Sequence, residues 1–303
     1  MTGGTPKTSV CIPAFNHARY IGRALESALS QTSTDMEVVV VDDASTDDTF
    51  EAAGRYAASD GRVRLYRNDA NLGMVGNWNR CLRAARGKYV KLLCSDDFLE
   101  PACIERQASV LDERGDVVLV SAARRIVDED GAGSGRASYA DAFVVRPGKA
   151  VINECFYRVG NLIGEPCAVL FRREAAGRGF HTAYRQLTDL EMWFHLLERG
   201  DFAHVPEALC GFRKHPGQQT RANADSLAFA DDEFRLFEEY SGKEYISLSF
   251  WQKQGVRYNK ALLVWNRRAQ GCDEDAVRRK LSEHYPLLLF RAVTLGKRLI
   301  GAG

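Results

Sequence analysis

The first half of the chain alternates short apolar runs with segments that repeat apolar residues at helical spacing. In the clearest run, Met36–Val41, β-branched residues follow one another, as in a parallel strand buried on both faces. Between the runs, apolar positions recur every three or four residues, for example over Tyr20–Leu29. The pattern predicts strands at Thr8–Ile12, Met36–Val41, Val63–Tyr66, Tyr89–Cys94 and Val117–Val120. This β-α order predicts an α/β fold with a mostly parallel central sheet, in which ligands bind beyond the carboxyl ends of the strands.

The second half of the chain has a looser pattern. The Gly- and Ser-rich segment Asp130–Ser138 predicts a loop, Cys167–Phe171 a strand and Leu187–Arg199 a helix. From about Asn223 onward, helical spacing continues to the end. We therefore expect one α/β domain over residues 1–222 and a C-terminal helical region over residues 223–303.

Composition excludes several classes of protein. The chain has 303 residues, 45% of them apolar and 27% charged, which is ordinary for a globular protein with a sizeable core. A formal net charge of +1 gives no general reason to expect a nucleic acid partner. The eight cysteines include no CxxC pair, which argues against a zinc site or a disulfide framework. Cysteine usage therefore favours a reducing, cytoplasmic location.

The C-terminal stretch bears on membrane contact. No part of the sequence approaches the ~20 apolar residues that a membrane-spanning helix needs. Tyr285–Gly301 nevertheless combines Leu, Phe and Ile with Arg291, Lys297 and Arg298, which suits a helix lying on an anionic membrane. A packed terminal helix or a homodimer contact explains the same composition, and the sequence favours these two interpretations. Peripheral contact with the cytoplasmic face of the inner membrane is the alternative.

Acidic residues cluster at predicted strand ends and at one helix start. The clusters are Asp42-Asp43, Asp96-Asp97 and Asp189 with Glu191. Each has a structural alternative, because aspartates cap helices and form turns. Carboxylates repel an anionic diphosphate, whereas a hard divalent cation accepts oxygen ligands from both groups. The combination therefore predicts a site in which Mn²⁺ or Mg²⁺ joins protein carboxylates to a nucleoside diphosphate.

Five segments, taken in order, resemble the inverting family 2 glycosyltransferases, which have the GT-A fold. They include VVVVDDASTDDT, TDLEMW and GFRKHPGQQT, and they lie at Val10–Thr32, Val38–Thr49, Asn71–Asp97, Thr188–Trp193 and Gly211–Thr220. The resemblance covers about the first 220 residues. It implies a GT-A (Rossmann-like) catalytic domain, a nucleoside-diphosphate-sugar donor that is most often a UDP-sugar, and a divalent metal.

The resemblance also implies roles for individual residues. It places around the nucleobase and donor sugar Pro13, Phe15, Asp43, Asn71, Gly73, Asn79 and Asp96. It assigns the metal to Asp97 and His215, and the catalytic base to Asp189, with Glu191 as the rival base. We further expect Arg213 to offset charge on the leaving diphosphate, although a solvated pair with Lys214 is equally compatible with the sequence.

Three positions depart from the family pattern. Cys94 stands where many relatives have Asp, Trp78 where many have Arg, and Thr188 where relatives usually have Glu. Cys94 leaves Asp96 and Asp97 as the acids of the metal-binding motif.

The resemblance implies an inverting displacement in which an acceptor hydroxyl attacks the anomeric carbon of the donor and Asp189 takes its proton. The acceptor is expected to be a glycan or a lipid-linked sugar in cell-surface polysaccharide assembly. One alternative is a nucleotidyltransferase, but its glycine-rich basic loop is replaced here by Pro13-Ala14-Phe15-Asn16. A catalytically inactive, sugar-nucleotide-binding regulator is the other alternative.

Overall fold

The structure is a computed structural model that describes residues 4–299, without the side chains of Asp225 and residues 296–299. Its strands are β1 Thr8–Ala14, β2 Met36–Asp42, β3 Val63–Arg67, β4 Tyr89–Leu92, β5 Phe98–Leu99, β6 Val117–Val127, β7 Gly133–Ala137, β8 Val144–Arg146, β9 Val169–Arg172 and β10 Asp201–Arg213.

Helices alternate with the first strands and then dominate the end of the chain. They are α1 Ile21–Leu29, α2 Thr49–Ser59, α3 Gly73–Ala84, α4 Cys103–Glu113, α5 Gly148–Arg158, α6 Thr188–Leu197, α7 Gln219–Asp225, α8 Phe229–Ser241, α9 Phe250–Trp265, α10 Glu274–His284 and α11 Leu287–Leu299. Short 3₁₀ turns lie at Pro166–Ala168, Arg173–Ala176 and Asn266–Gln270.

One central sheet organises the first part of the fold. Its strand order is β3-β2-β1-β4-β9-β6-β10-β5, with β7 beside β6 and β8 beside β10. The pairs β3-β2, β2-β1, β1-β4 and β6-β10 are parallel, whereas β9 runs antiparallel to both of its neighbours, β4 and β6. All seven residues of β2 are buried, as expected of a parallel strand covered on both faces. The predicted α/β fold with a mostly parallel sheet is confirmed.

Several predictions in the second half need correction. The segment Asp130–Ser138 is not only a loop, because β7 pairs antiparallel with β6 within it. Its sequence, GSGRA, is mostly exposed and pairs through backbone groups, so it carries no apolar pattern. The strand predicted at Cys167–Phe171 begins at Val169, after a 3₁₀ turn. The sequence interpretation also missed α5 and the 13-residue β10.

The chain divides into two compact units. The first comprises the described residues up to Val151, together with Asn161–Tyr184 and Thr188–His215. The second comprises Ile152–Gly160, Arg185–Leu187 and the described residues from Pro216 onward. The domain division predicted between residues 222 and 223 stays a prediction.

Each unit has its own apolar core. In the first unit, buried residues of β1 and β2, such as Ile12 and Val40, pack with α1 residues such as Leu25. In the second unit, Phe234 and Phe290 belong to a core formed by residues of α8, α9, α10 and α11. None of the described helices is both long enough and apolar enough to cross a membrane.

Candidate active site

The first group of predicted site residues follows the ends of β1 and β2. These strands pair in parallel, with Ala14 opposite Asp42, so the segments that leave them start at the same edge of the sheet. Pro13 is buried within β1, whereas Phe15, directly after the strand, is 42% exposed. Phe15 is therefore accessible to a ligand at this edge, as the sequence predicts for a residue of a nucleobase pocket.

The two segments that follow β1 and β2 are joined by hydrogen bonds. The backbone N–H of Asn16 donates to Ser45 Oγ at 3.0 Å, and Asn16 Oδ1 accepts from the N–H of Thr46 at 2.8 Å. Asn16 and Ala44 have left-handed φ angles of 52° and 57°. Such a conformation costs a residue other than glycine about 1–2 kcal/mol and persists where surrounding contacts fix it. The bonds therefore hold both strand-end loops in a defined shape.

Asp43 connects this edge to the turn before α3. Its Oδ1 accepts the N–H of Leu72 at 2.8 Å and also the side-chain amide of Asn68. In the same turn, Asn71 Oδ1 accepts the N–H of Gly73 at 2.8 Å, and Gly73 has a φ of +74° that suits glycine. The structure thus brings together Asp43 and the Asn71–Gly73 turn, which the sequence assigned to the nucleotide.

Asn79 on α3 is hydrogen-bonded to a backbone segment that follows β9 in the sequence. Its Oδ1 accepts the N–H of Phe180 at 2.7 Å, and its Nδ2 donates to the carbonyl of the same residue at 2.9 Å. Both ends of the amide therefore bind one backbone segment. The assignment of Asn79 to the donor stays a prediction, and in this structure its amide ties α3 to the backbone of Phe180.

The acids that follow β4 have separate partners. Asp96 Oδ2 lies 3.1 Å from His215 Nε2, whereas Asp97 Oδ1 accepts the backbone N–H of Arg213 at 2.8 Å. The guanidinium of Arg213 donates through Nε to the carbonyl of Asp96 at 2.8 Å, and both acids are buried. Arg213 therefore supports the backbone and side chain of the acidic pair, and Asp96 is the acid that faces the histidine.

The pKa values of Asp96 and Asp97 are shifted in opposite directions, in line with their different partners. Burial and the charge of Asp96 hold the pKa of Asp97 well above its usual value. Burial also acts on Asp96, but the hydrogen bond with His215 and the nearby charge of His17 outweigh it, so the pKa of Asp96 is lowered. Asp96 is thus the acid of the pair that is held as a carboxylate.

The donor set around Asp96 fits a divalent cation. His17, Asp96 and His215 each offer a ligand atom, and these atoms lie within 4.8 Å of one another. Adjacent ligands at about 2.1 Å from an octahedral metal are about 3 Å apart, which matches the 3.1 Å between Asp96 Oδ2 and His215 Nε2. Cys94, Asp96 and Asp97 form a second group of this kind. The sequence placed the metal on Asp97 and His215, and those roles stay predictions.

Asp189, the predicted base, lies in the first turn of α6. Its Oδ2 accepts from the side-chain amide of Asn161 at 3.2 Å, and its Oδ1 accepts the N–H of Leu190 at 2.8 Å. Burial, with a further contribution from the charge of Glu165, raises the pKa of Asp189 to about 7. An acid with this pKa can exchange a proton near neutral pH, as a general base must.

Glu191, the rival base, has a cationic partner. The guanidinium of Arg178 forms an ion pair with its carboxylate and also donates to His195 Nδ1 at 2.8 Å. Glu191 is buried on α6 only two positions after Asp189, so the two side chains leave the helix in different directions. The Glu191 carboxylate is already engaged by Arg178, and the geometry therefore favours Asp189 as the predicted base.

Cys94 lies beside the acidic pair and is within the electrostatic influence of Asp189. Burial raises the pKa of its thiol, and the charges of Asp97, Asp96 and Asp189 each raise it further. The three carboxyl groups therefore act on one side chain at the end of β4. Two acidic clusters that are about 90 residues apart in the sequence thus influence the pKa of the same thiol.

Three residues near this site were missed by the sequence interpretation. Glu165 forms an ion pair with Arg124, and both influence the pKa of Asp189. His17 lies beside Asp96 and His215. His17 falls within a segment that carries the family resemblance, and its position directly after a strand end was an available signal. Glu165 and Arg124 gave no signal, because their proximity depends on tertiary contacts.

Comparison with known sequences identifies relatives. Residues 9–180 match the family described as Glycosyl transferase family 2. An uncharacterized protein of Mycobacterium tuberculosis is 33% identical over 219 residues, which are 69% of this chain and 67% of that protein. Chondroitin synthase of Escherichia coli is 34% identical over 223 residues, 71% of this chain but 30% of the synthase. The match therefore spans less than a third of that synthase.

Solved structures share the fold. TarS of S. aureus, solved in complex with UDP-GlcNAc, superposes with a TM-score of 0.60 at 19% identity, covering 92% of this chain and 71% of TarS. The mannosyltransferase PcManGT of Pyrobaculum calidifontis, in complex with GDP-Man and Mn²⁺, gives a TM-score of 0.56 at 20% identity and covers 99% of this chain and 86% of that one. These similarities establish the GT-A fold.

Proposed function

The chain belongs to glycosyl transferase family 2, and on that premise we propose that it moves a sugar from a nucleoside-diphosphate sugar to an acceptor hydroxyl with inversion. The observation that carries the proposal is the buried pair Asp96 and Asp97 beside Cys94, a thiol whose pKa is also raised by the charge of Asp189. A general base and an anion-binding centre must both lie beside the anomeric carbon in such a reaction. One site with two separate acidic groups meets that requirement.

On the donor side, we assign the cation to Asp96 and His215 rather than to Asp97. Asp96 faces His215 at 3.1 Å, whereas the carboxyl of Asp97 is bonded to the backbone of Arg213. A bound Mn²⁺ or Mg²⁺ would offset the charge that develops on the departing diphosphate. Asp97 then fixes the chain segment that carries Arg213 and His215.

The nucleoside would lie at the edge formed by the ends of β1 and β2. Asp43 is held there by Leu72 and Asn68, and Phe15 offers an exposed aromatic face. We keep UDP as the expected nucleotide, and TarS is a protein of the same fold that binds UDP-GlcNAc. PcManGT binds GDP-Man, so a GDP-sugar is the main competitor.

On the acceptor side, Asp189 is the proposed base. It accepts the proton of the attacking hydroxyl while the oxygen forms the new bond to the anomeric carbon and the nucleoside diphosphate leaves from the opposite face. Asn161 orients the carboxylate through its amide at 3.2 Å. Because Glu191 is paired with Arg178, we assign it a structural role.

For the acceptor and the cellular setting, we propose only a general class. A glycan or lipid-linked acceptor in polysaccharide assembly is supported by relatives such as chondroitin synthase. Cytoplasmic location, peripheral membrane contact through the C-terminal helix and a homodimer stay predictions from the sequence. The nucleotidyltransferase alternative is disfavoured by family membership, and the inactive regulator is separated by measuring turnover.

Turnover is tested with a panel of UDP-, GDP- and dTDP-sugars in the presence of Mn²⁺, Mg²⁺ or a chelator. Release of free nucleoside diphosphate is measured with and without candidate oligosaccharide and lipid-linked acceptors. We expect one donor class to support release that increases with acceptor and stops with the chelator. Tight donor binding without release under any acceptor would identify the inactive regulator, and release of inorganic pyrophosphate from a sugar phosphate plus nucleoside triphosphate would identify a nucleotidyltransferase.

A further inference from the structure

We propose that His17 is a third protein ligand of the cation held by Asp96 and His215, and that it biases the site toward Mn²⁺ over Mg²⁺. The inference rests on the proposed cation site and adds a residue that neither the acidic motif nor the returning histidine segment contains. It comes from the position of His17 in the loop that follows β1, on a different part of the chain from both other ligands.

The position of the His17 ring supports coordination. Its ligand atom lies within 4.8 Å of those of Asp96 and His215, and the two imidazole rings are 5.9 Å apart at an interplanar angle of 76°. Its Nδ1 lies 2.7 Å from Ser95 Oγ. Metal-binding histidines commonly use one ring nitrogen for the ion and the other for a hydrogen bond that fixes the ring. The contact with Ser95 leaves Nε2 of His17 as the nitrogen for the cation.

The backbone around His17 is fixed as a ligand position requires. The N–H of His17 donates to Thr49 Oγ1 at 2.8 Å, and the next N–H, of Ala18, donates to Asp47 Oδ2 at 3.1 Å. Asn16, one residue earlier, has the left-handed φ of 52° and is bonded to the loop after β2. The strained Asn16 conformation therefore belongs to a set of bonds that places His17 at the end of β1.

The chemistry of the ligand set predicts metal selectivity. With Asp96 and His215 alone, the protein supplies one oxygen ligand and one nitrogen ligand. With His17 added, nitrogen ligands outnumber the oxygen ligand. Mg²⁺ takes oxygen ligands and keeps several of its waters. Mn²⁺ is also bound mostly by oxygen, but as a first-row transition ion of the Irving–Williams series it accepts an imidazole nitrogen more readily than Mg²⁺ does. Coordination by His17 would therefore strengthen Mn²⁺ binding much more than Mg²⁺ binding.

The direct test counts nitrogen ligands of Mn²⁺ in the full-length protein. Pulsed EPR of the wild-type chain with Mn²⁺ alone, and again with UDP or GDP, is compared between natural and ¹⁵N-histidine-labelled protein. The proposal expects couplings from two histidine nitrogens in the wild type and from one in His17→Gln. One coupled nitrogen in the wild type would overturn it, and this wild-type count does not depend on how the variant folds.

Equilibrium titration provides the second readout. The proposal expects His17→Gln to weaken Mn²⁺ binding on the order of 10-fold while Mg²⁺ binding changes much less. The matched control is His181→Gln, since His181 lies outside this cluster and its Nδ1 accepts the N–H of Ala183. Unchanged Mn²⁺ affinity in His17→Gln overturns the proposal.

Asp96→Asn separates this inference from the proposed function. If Asp96→Asn abolishes Mn²⁺ binding while His17→Gln leaves it intact, the cation site stands and only the role of His17 is wrong. If neither substitution affects Mn²⁺ binding, the cation site itself is wrong, and both proposals fall.

Discussion

Asp189 and Glu191 illustrate how neighbouring acids on one helix acquire different chemistry. Glu191 is buried against Arg178, which holds its charge in an ion pair. Asp189 has an amide and a backbone N–H as partners, and burial raises its pKa to about 7. The difference arises from tertiary contacts, because both residues lie in the first turn of α6. Only Asp189 combines proton affinity near neutrality with an influence on the pKa of Cys94.

Replacement of the base gives the first prediction at this scale. Asp189→Asn keeps the shape of the side chain but removes the proton acceptor, so turnover should fall by about 10²–10⁴-fold. Nucleotide affinity should stay near the wild-type value, because Asp189 is assigned to the acceptor side. Steady-state release of nucleoside diphosphate and calorimetric nucleotide binding measure the two effects. Glu191→Gln is the matched variant, and a larger loss of turnover there than in Asp189→Asn would identify Glu191 as the base.

The pH dependence of turnover gives the second prediction. The base is active when deprotonated, and its pKa is about 7. The rate of the chemical step should therefore be highest above pH 7 and fall about 10-fold per pH unit well below it. Single-turnover rates measured from about pH 5 to 8, with saturating donor at each pH, report this ionisation. A flat profile over that range would show that no group with such a pKa controls the step.

At the scale of elements, the turn that leads into α6 depends on one carboxylate of α8. Asp232 Oδ2 accepts three successive backbone N–H groups, those of Arg185, Gln186 and Leu187. Asp232 is buried, so shortening its side chain removes the acceptor of all three N–H groups inside the protein. The backbone segment Arg185–Leu187 is thus held by a side chain 45 residues after Leu187 in the sequence.

This arrangement predicts a loss of stability. Asp232→Ala leaves buried N–H donors without an acceptor, and the free energy of unfolding should fall by about 1–3 kcal/mol. Chemical denaturation measures the change. Glu238→Ala, at an exposed position of the same helix, is the control and should leave stability close to the wild-type value. Equal stability of the two variants would show that the Asp232 bonds contribute nothing net.

The elements also show which parts of the fold can be predicted from sequence. β2 is recognisable because Met36–Val41 is an almost uninterrupted apolar run, and all of its residues are buried in the structure. The sequence pattern and the burial therefore coincide. The antiparallel insertion of β9 between β4 and β6 leaves no trace in the sequence, since a buried strand has the same composition in either direction. β7 is held by backbone pairing with exposed side chains, and pattern analysis therefore assigned it to a loop.

At the scale of the whole molecule, the second unit exposes apolar residues near the end of the chain. Leu288 and Leu295, seven positions apart on α11, are 82% and 60% exposed. Seven residues are close to two helical turns, so these side chains share one face, and exposed Arg291 lies between them in the sequence. An apolar face with adjacent positive charge is what peripheral contact with an anionic membrane requires, and that contact stays the alternative to a packed helix or a homodimer contact.

Vesicle binding tests this contact. We expect the intact protein to bind vesicles with anionic lipid more strongly than it binds neutral vesicles. The double variant Leu288→Gln with Leu295→Gln should lower the bound fraction, because burial of each leucine side chain in the membrane contributes about 1.5–3 kcal/mol at most. Co-sedimentation measures the fraction. Leu263→Gln on α9 is the control. Equal binding of the double variant and the wild type would exclude this face as the contact.

The candidate site as a whole was partly visible in the sequence. The acids at Asp43, Asp96 and Asp189 stand in motifs whose order indicated the family, and the charges of Asp96 and Asp189 both raise the pKa of one cysteine. The partners of those acids were not visible. Which of two adjacent aspartates faces His215, and where the amide of Asn79 binds, depend on side-chain directions that a sequence pattern does not specify.

Metal-dependent nucleotide binding in Asp96→Asn and Asp97→Asn tests the central claim most directly. Calorimetric titration of UDP and GDP, with Mn²⁺ or chelator, should show metal-dependent binding in the wild type. We expect at least about 10-fold weaker binding in Asp96→Asn, which loses a charged oxygen ligand. Asp97→Asn should bind nearly as the wild type does, because the amide oxygen still accepts the N–H of Arg213. The reverse order of the two variants, or nucleotide binding that ignores the metal in all three proteins, would contradict the account.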